Sequence, residues 1–210
     1  MTNVFTVSID AWKHGNPIPE KYAFGKQDAQ THVALTDNIN PAISWSSVPV
    51  GTKSFAIICH DPDVPSSGED VNQEGKAVPA ELPRINFYHW VLANIPIDIS
   101  KIEESAASNG VTVRGKDVGG KTYGLAGINS YTDWFAGDAD MEGKYADYDG
   151  PCPPWNDSIM HHYYFTVYAL DVTSLTLEEE FRAPELLEKM QGHILAQAAH
   201  MGTYTLNPEL

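Results

Sequence analysis

The stretch Cys59-His60-Asp61-Pro62-Asp63-Val64-Pro65 follows an apolar run, residues 54–58, which predicts a buried β-strand. Pro62 disfavours the helical region for the residue before it, so the chain is expected to stay extended at Asp61. Residues two apart in an extended chain point to the same side. We therefore expect Asp61 and Asp63 to face one place together, at the end of a strand.

Two longer segments carry the other strong strand signals. Residues 85–95 alternate in a way that places His89 on one face together with apolar neighbours. Residues 161–170 are dense in aromatic and β-branched side chains, and His161 and Tyr163 share a face. Shorter strands are predicted at 4–9, 32–35, 42–47 and 203–206, whereas 25–31 is predicted to be a loop.

One helix is predicted near the end of the chain. Pro184 suits a first helical turn, and apolar residues recur at helical spacing at Leu187, Met190, Ile194 and Ala198. Many strands with one late helical segment predict a mainly β fold.

The chain shows no internal repeat and no linker, so we expect a single domain over residues 1–210. The polar segment 66–84 has no periodicity and is long for a loop inside a compact domain. Such a loop is either functional or a mobile flap.

The charge and the cysteine content exclude several classes of protein. A formal net charge of -15 repels nucleic acid and anionic membranes. No basic leader or apolar run of about 18 residues is visible, so a cytoplasmic location without a membrane span is expected. The two cysteines, Cys59 and Cys152, form no disulfide framework. Whether they approach closely enough to bond stays open at this point.

Five side chains at strand faces or ends are candidates for one site: Asp61, Asp63, His89, His161 and Tyr163. Each also has an ordinary structural role. An aspartate before proline commonly forms a turn, and a histidine or tyrosine in an apolar strand is commonly a hydrogen-bonded core residue. Spacing alone therefore predicts a pocket without naming its ligand.

Several blocks keep one order over nearly the whole chain. They are Asp61-Pro62-Asp63-Val64-Pro65, His89-Trp90-Val91-Leu92-Ala93-Asn94-Ile95-Pro96, Gly150-Pro151-Cys152-Pro153-Pro154, His161-His162-Tyr163 and Gly192-His193-Ile194-Leu195-Ala196. Together they resemble the phosphatidylethanolamine-binding protein family, in its bacterial, Raf-kinase-inhibitor-like branch.

The resemblance implies an antiparallel β-sandwich with a C-terminal helix and a short terminal strand. It implies a non-catalytic pocket for phosphate, phosphoethanolamine or phospholipid head groups, without metal or cofactor. A regulated partner protein such as a kinase or protease, and a homodimer, are further expectations. The implied pocket residues are Asp61, Asp63, His89, Gly150, His161 and Tyr163, with Pro65 and Pro153 on the walls.

The chain departs from the family pattern in three places. His162 stands where the family has an arginine, which removes a permanent positive charge and five donors. The segments 66–84 and 127–148 are extended, and the second carries Trp134 and Phe135. We expect both segments to reshape the rim of the pocket.

Two carboxylates repel an anion that binds beside them, so we expect Asp61 and Asp63 to have different roles. We expect one carboxylate to accept a hydrogen bond from a ring nitrogen of His89 or His161, whose other nitrogen then donates to the ligand. The second carboxylate would accept hydrogen bonds from backbone N–H groups or contact an ammonium group of the ligand. Tyr163 adds a neutral donor. Phosphate-type ligands should then bind more tightly as the pH falls through the histidine range.

Three alternatives stay open. Two Asp and two His side chains are a plausible ligand set for zinc or iron in a metal-dependent enzyme. Cys152, close to His161 in sequence, would be the nucleophile of a hydrolase. A protein-interaction module with the pocket as its switch overlaps with the anion-binding function.

Overall fold

The computed structural model describes residues 4–210. Its strands are β1 (Thr6–Ser8), β2 (Gly25–Asp28), β3 (His32–Leu35), β4 (Ile43–Ser46), β5 (Ser54–Pro65), β6 (Arg84–Pro96), β7 (Lys101–Ile102), β8 (Gly119–Lys121), β9 (Gly124–Ala126), β10 (His161–Leu170) and β11 (Ile194–Tyr204). Its helices are α1 (Tyr131–Trp134), α2 (Ala183–Met190) and a 3-10 turn at Glu20–Tyr22.

The framework is a six-stranded sheet with the spatial order β11-β10-β5-β6-β9-β8. A three-stranded sheet, β1-β4-β7, and a β2-β3 hairpin complete the strands, and every strand pair is antiparallel. The largest apolar cluster joins Ile57 of β5 and Phe165 of β10 to Trp45 of β4, so it lies between the two larger sheets. The predicted mainly β sandwich is confirmed.

Strand β5, in the middle of the large sheet, is buried on both faces along residues 54–58. Phe55 and Ile57 belong to the cluster between the sheets, whereas Ile58 packs with Leu186 and Met190 of α2 on the opposite face. This double burial explains why residues 54–58 form an uninterrupted apolar run instead of alternating with polar residues.

The C-terminal helix ends earlier than its apolar spacing predicted. The prediction that Ile194 and Ala198 are helical was wrong, because both lie in β11, which pairs with β10. Gly192, with a φ of 81° that favours glycine, lies in the turn between helix and strand. The terminal strand is therefore longer than the predicted 203–206. The predicted loop at 25–31 also begins with a strand, β2.

The segment between β5 and β6 has no helix or strand of its own, but it is tied to the rest of the protein. Asn156 donates from its side-chain amide to the carbonyl oxygens of Asp70 at 2.9 Å and Lys76 at 3.1 Å. Its side-chain oxygen accepts the backbone N–H of Asn72 at 2.9 Å. One buried asparagine thus holds the loop in a defined conformation.

No helix among residues 4–210 is long and apolar enough to cross a membrane.

Gly150 lies where two backbone segments come close, which gives the first prediction. A Cβ at this position would overlap the carbonyl oxygen of Tyr22 and lie 2.9 Å from Cα of Ala23. Because backbone cannot rotate away as a side chain can, Gly150→Ala should lower the free energy of unfolding by about 1–3 kcal/mol or more. Urea unfolding measures the loss.

The matched control is Gly68→Ala, since no atom lies within 4 Å of a Cβ built there. This variant should unfold within about 0.5 kcal/mol of the wild type. Equal stability of the two variants would contradict the close approach at Gly150.

Candidate functional site

A cavity of about 240 Å³ opens where β5, β6 and β10 meet the loops around them. Most of its wall is apolar or aromatic. Its polar lining comes from Asp61, Asn72, His89, Cys152 and Tyr163. A mainly apolar cavity with a few polar groups is typical of small-ligand sites.

Asp61 and His161 belong to a buried chain of ion pairs beside the cavity. His161 Nδ1 lies 2.7 Å from Asp61 Oδ2, and His161 Nε2 lies 3.1 Å from Asp157 Oδ2. Arg84 continues the chain with two hydrogen bonds to Asp157, at 2.6 and 3.1 Å. Burial opposes a charge on His161, but the bonds to Asp157 and Asp61 outweigh it and raise its pKa to about 9. His161 is therefore an imidazolium that donates from both nitrogens.

This geometry corrects the expected role of His161. Both of its ring nitrogens are occupied inside the protein and its side chain is fully buried, so neither nitrogen is free to donate to a ligand. The structure makes it the partner that neutralises Asp61.

The alternation of an extended chain predicted that Asp61 and Asp63 face the same place. The structure separates the two carboxylates. The Asp63 carboxylate accepts the backbone N–H and the Nδ1–H of His162, at 2.9 and 2.8 Å, and it does not line the cavity. The β5–β6 pairing shifts register between Asp61 and Val64. Such a bulge breaks the simple alternation of faces, which explains the wrong prediction.

His89 lies almost completely buried on β6 and lines the cavity. Its Nδ1 is 2.9 Å from the carbonyl oxygen of Asp149. A carbonyl oxygen only accepts, so Nδ1 carries the proton and the neutral ring keeps a lone pair on Nε2. Burial lowers the pKa of His89 below its usual value. No group within residues 4–210 hydrogen-bonds to Nε2.

The carbonyl that orients His89 is fixed by a buried polar network. The Asp149 carboxylate accepts hydrogen bonds from Asn38 at 2.8 Å, Asn129 at 2.8 Å and Lys116 at 2.9 Å. These partners come from three separate loops, and sequence patterns did not single them out. A network with all of its members satisfied is rigid, so the ring of His89 is held in one orientation.

Tyr163 lines the cavity from β10, with its ring at the edge of His89 at a centroid distance of 5.2 Å. Its hydroxyl is buried and has no hydrogen-bond partner within residues 4–210. Burial, and then the charge of Asp61, raise the pKa of Tyr163 well above the usual value. The hydroxyl is therefore a neutral donor that lies close to the Asp61 carboxylate without forming a hydrogen bond of normal geometry to it.

The Gly-Pro-Cys-Pro-Pro loop contributes unequally to the cavity. Pro153 lines it, as predicted, but Gly150 and Pro65 do not. Gly150 instead donates to Asn38 at 2.8 Å and accepts from the Tyr131 hydroxyl at 2.6 Å.

Cys152 also lines the cavity, and burial raises the pKa of its thiol to about 12. It is a neutral thiol at pH 7, which is not an activated nucleophile. Cys152 and Cys59 are both free, so the structure shows no disulfide between them.

The two extended segments supply part of the wall of the cavity, as the sequence led us to expect. Val71 and Asn72 come from the 66–84 loop, and Tyr131, Trp134 and Phe135 come from the region of α1. The aromatic side chains of the second segment were the signal for Trp134 and Phe135, whereas nothing in the sequence singled out Val71 or Asn72. Asp157 and Arg84 had no such signal, because only the fold brings them to His161.

Among residues 4–210, no group of three or more His, Cys, Asp or Glu side chains is arranged to hold a metal ion. At the predicted Asp and His cluster, both nitrogens of His161 already face carboxylates. The residues present therefore do not fit the metal-dependent alternative.

The model of one protein family, described as phosphatidylethanolamine-binding protein, matches residues 8–205. This chain belongs to that family. A UPF0098 protein of Chlamydia muridarum is 33% identical over 198 residues, which are 94% of this chain and 97% of that protein. The UPF0098 protein YbhB of Escherichia coli is 26% identical over 188 residues, 89% of this chain and 91% of YbhB.

Solved structures of the phosphatidylethanolamine-binding protein family show the same architecture. A homologue from Chlamydia trachomatis matches with a TM-score of 0.64 at 31% identity, covering 96% of this chain and 97% of that one. YbcL of Escherichia coli matches with a TM-score of 0.67 over 97% of this chain and 99% of its own, and at 23% identity it supports the fold alone. The predicted family and fold are confirmed.

The buried imidazolium of His161 gives the second prediction. His161→Ala leaves Asp61 without its ion-pair partner, and Asp157 keeps only Arg84, so the free energy of unfolding should fall by about 3–5 kcal/mol in urea. The control is His193→Ala, which removes a half-exposed pair with Asp171 and should cost about 0.5 kcal/mol or less.

The contribution of His161 to the free energy of unfolding changes with pH in a defined direction. The folded-state pKa of His161 is raised, so the stability from this group is fully present below about pH 6.5 and is lost as the pH rises through about 9. Between about pH 6.5 and 9 the wild-type protein should lose more stability than His161→Ala, because the alkaline loss that comes from the raised pKa of Cys152 is common to both proteins. The same alkaline slope in both proteins would contradict the charged state of His161.

Proposed function

We propose that this protein binds small anions of the phosphate, phosphoethanolamine or phospholipid head-group class in the cavity, without catalysing a reaction. One observation carries the proposal. The unpartnered hydroxyl of Tyr163 and the free Nε2 of His89 line the same cavity as the buried carboxylate of Asp61. A buried polar group without a partner costs free energy, and a bound ligand would supply the missing acceptor for the hydroxyl.

Membership in the phosphatidylethanolamine-binding protein family supports a general binding role. A head group with an anionic and a cationic end suits the lining in more detail. The Tyr163 hydroxyl donates to a phosphate oxygen, and Asp61 accepts from an ammonium group. The aromatic rings of Phe87 and Tyr131 also line the cavity.

The chemistry of the lining supports binding over catalysis. Cys152 is neutral at pH 7, since burial raises its pKa to about 12. His161 is locked between two carboxylates and cannot exchange a proton with a ligand. Nucleophilic catalysis needs an activated nucleophile and acid–base catalysis needs a group that is free to exchange a proton, and neither Cys152 nor His161 meets these conditions. The predicted partner protein, the homodimer and the cytoplasmic location stay predictions.

The third prediction uses the hydroxyl that has no partner. Tyr163→Phe removes only that group, so it should leave the free energy of unfolding unchanged or slightly higher. In calorimetric titrations with phosphate and phosphoethanolamine at about pH 6, the variant should bind about 5–30-fold more weakly than the wild type, the cost of one ligand hydrogen bond.

The matched control is Tyr148→Phe. The hydroxyl of Tyr148 donates to the carbonyl of Tyr22 at 2.6 Å and does not line the cavity. This variant should lose about 1 kcal/mol of stability and keep its affinity. Equal ligand affinity in wild type and Tyr163→Phe, or no saturable binding of either compound to the wild type, would refute the proposed function.

A further inference from the structure

The cavity has no permanent positive charge of its own. Its ionisable lining groups are Asp61, His89, Tyr131, Cys152 and Tyr163, and no Lys or Arg from residues 4–210 lines it. Burial raises the pKa values of both tyrosines and of Cys152, so these three groups are neutral at pH 7. An anion that enters this cavity therefore meets a carboxylate and no cation.

The cations behind the wall are already neutralised. His161 and Arg84 are matched by the carboxylates of Asp61 and Asp157, and Lys116 is matched by Asp149. Each of these cations lies within 3.1 Å of its carboxylate, so their fields largely cancel at the ligand. The protein as a whole carries a formal charge of -15 and adds no attraction.

His89 is the one lining group that can supply the missing charge. In its neutral form Nδ1–H donates to the carbonyl of Asp149, and Nε2 holds a lone pair that repels an anion oxygen. One proton on Nε2 converts this acceptor into a charged donor. The groups that face the ring are Asp61 from β5, Asp149 from the loop before Gly150, Tyr131 from α1 and Tyr163 from β10.

We propose that every anion bound in the cavity is accompanied by one proton, which is taken up on Nε2 of His89. This inference rests on the anion binding proposed above and adds the condition under which the site fills. The direction of the pH dependence follows from the linkage between anion binding and proton binding. Burial holds the pKa of His89 low in the empty protein, and a bound anion favours the charged ring. Above the pKa that His89 has in the protein without ligand, the affinity for the anion should therefore fall about tenfold per pH unit.

Sulfate is the decisive probe, because it has the shape of phosphate but keeps its charge between about pH 5 and pH 8. Any proton taken up with sulfate belongs to the protein. Calorimetric titration at about pH 7.5, repeated in buffers of different ionisation enthalpy, gives the number of protons directly. We expect about one per sulfate, and a dissociation constant that rises about tenfold from pH 6.5 to 7.5.

The variant His89→Gln keeps a side chain that can donate but cannot titrate. It should bind sulfate with a proton uptake near zero and an affinity that is flat with pH. His193→Gln, which changes a half-exposed histidine paired with Asp171, should behave as the wild type. The wild-type protein allows a direct test as well. The NMR signals of the His89 ring, followed against pH, should report a higher pKa in saturating sulfate than without sulfate.

Three results would overturn the inference. They are a sulfate affinity of the wild type that does not change with pH, an unchanged proton uptake in a folded His89→Gln, and binding of phosphate with exclusion of sulfate. The last would place the proton on the ligand. If neither anion binds the wild type at about pH 6, the proposed function itself fails, which is a distinct outcome.

Discussion

The rest of the site depends on the imidazolium of His161, held between Asp61 and Asp157. These three residues come from β10, β5 and the loop before β10, and Arg84 adds the start of β6. A buried charge that loses its partner is costly, so the segments are coupled. The wall of the cavity that contains Asp61 is therefore built by the protein before any ligand arrives.

The two histidines of the site differ because of the atoms that face them. His161 meets a carboxylate at each ring nitrogen, which makes its charged form stable in the interior. His89 meets a carbonyl at Nδ1 and the cavity at Nε2, and burial favours its neutral form. One histidine is thus a fixed structural cation and the other a group that can change its charge. Residue type, which is the same for both, does not reveal this difference.

Sequence patterns predicted elements that depend on neighbours along the chain, namely β5, β6, β10 and the start of α2, but not the full length of β11. They failed where a local irregularity decides the outcome. Examples are the bulge that separates Asp63 from Asp61, and the turn at Gly192 that moves Ile194 from helix to strand. They were silent on contacts between distant loops. The bond between Asn38 and Asp149 joins residues 111 positions apart, and neither residue lies in a periodic segment.

The uneven lining of the cavity gives its few polar groups unusual weight. Val71, Trp134 and the other apolar side chains of the wall cannot solvate a charge. The charged part of a ligand therefore depends on the polar lining groups, which include Asp61, His89 and Tyr163. Because the lining holds the Asp61 carboxylate, charge balance limits affinity more than contact area does. The protonation of a single side chain, His89, is then sufficient to control binding.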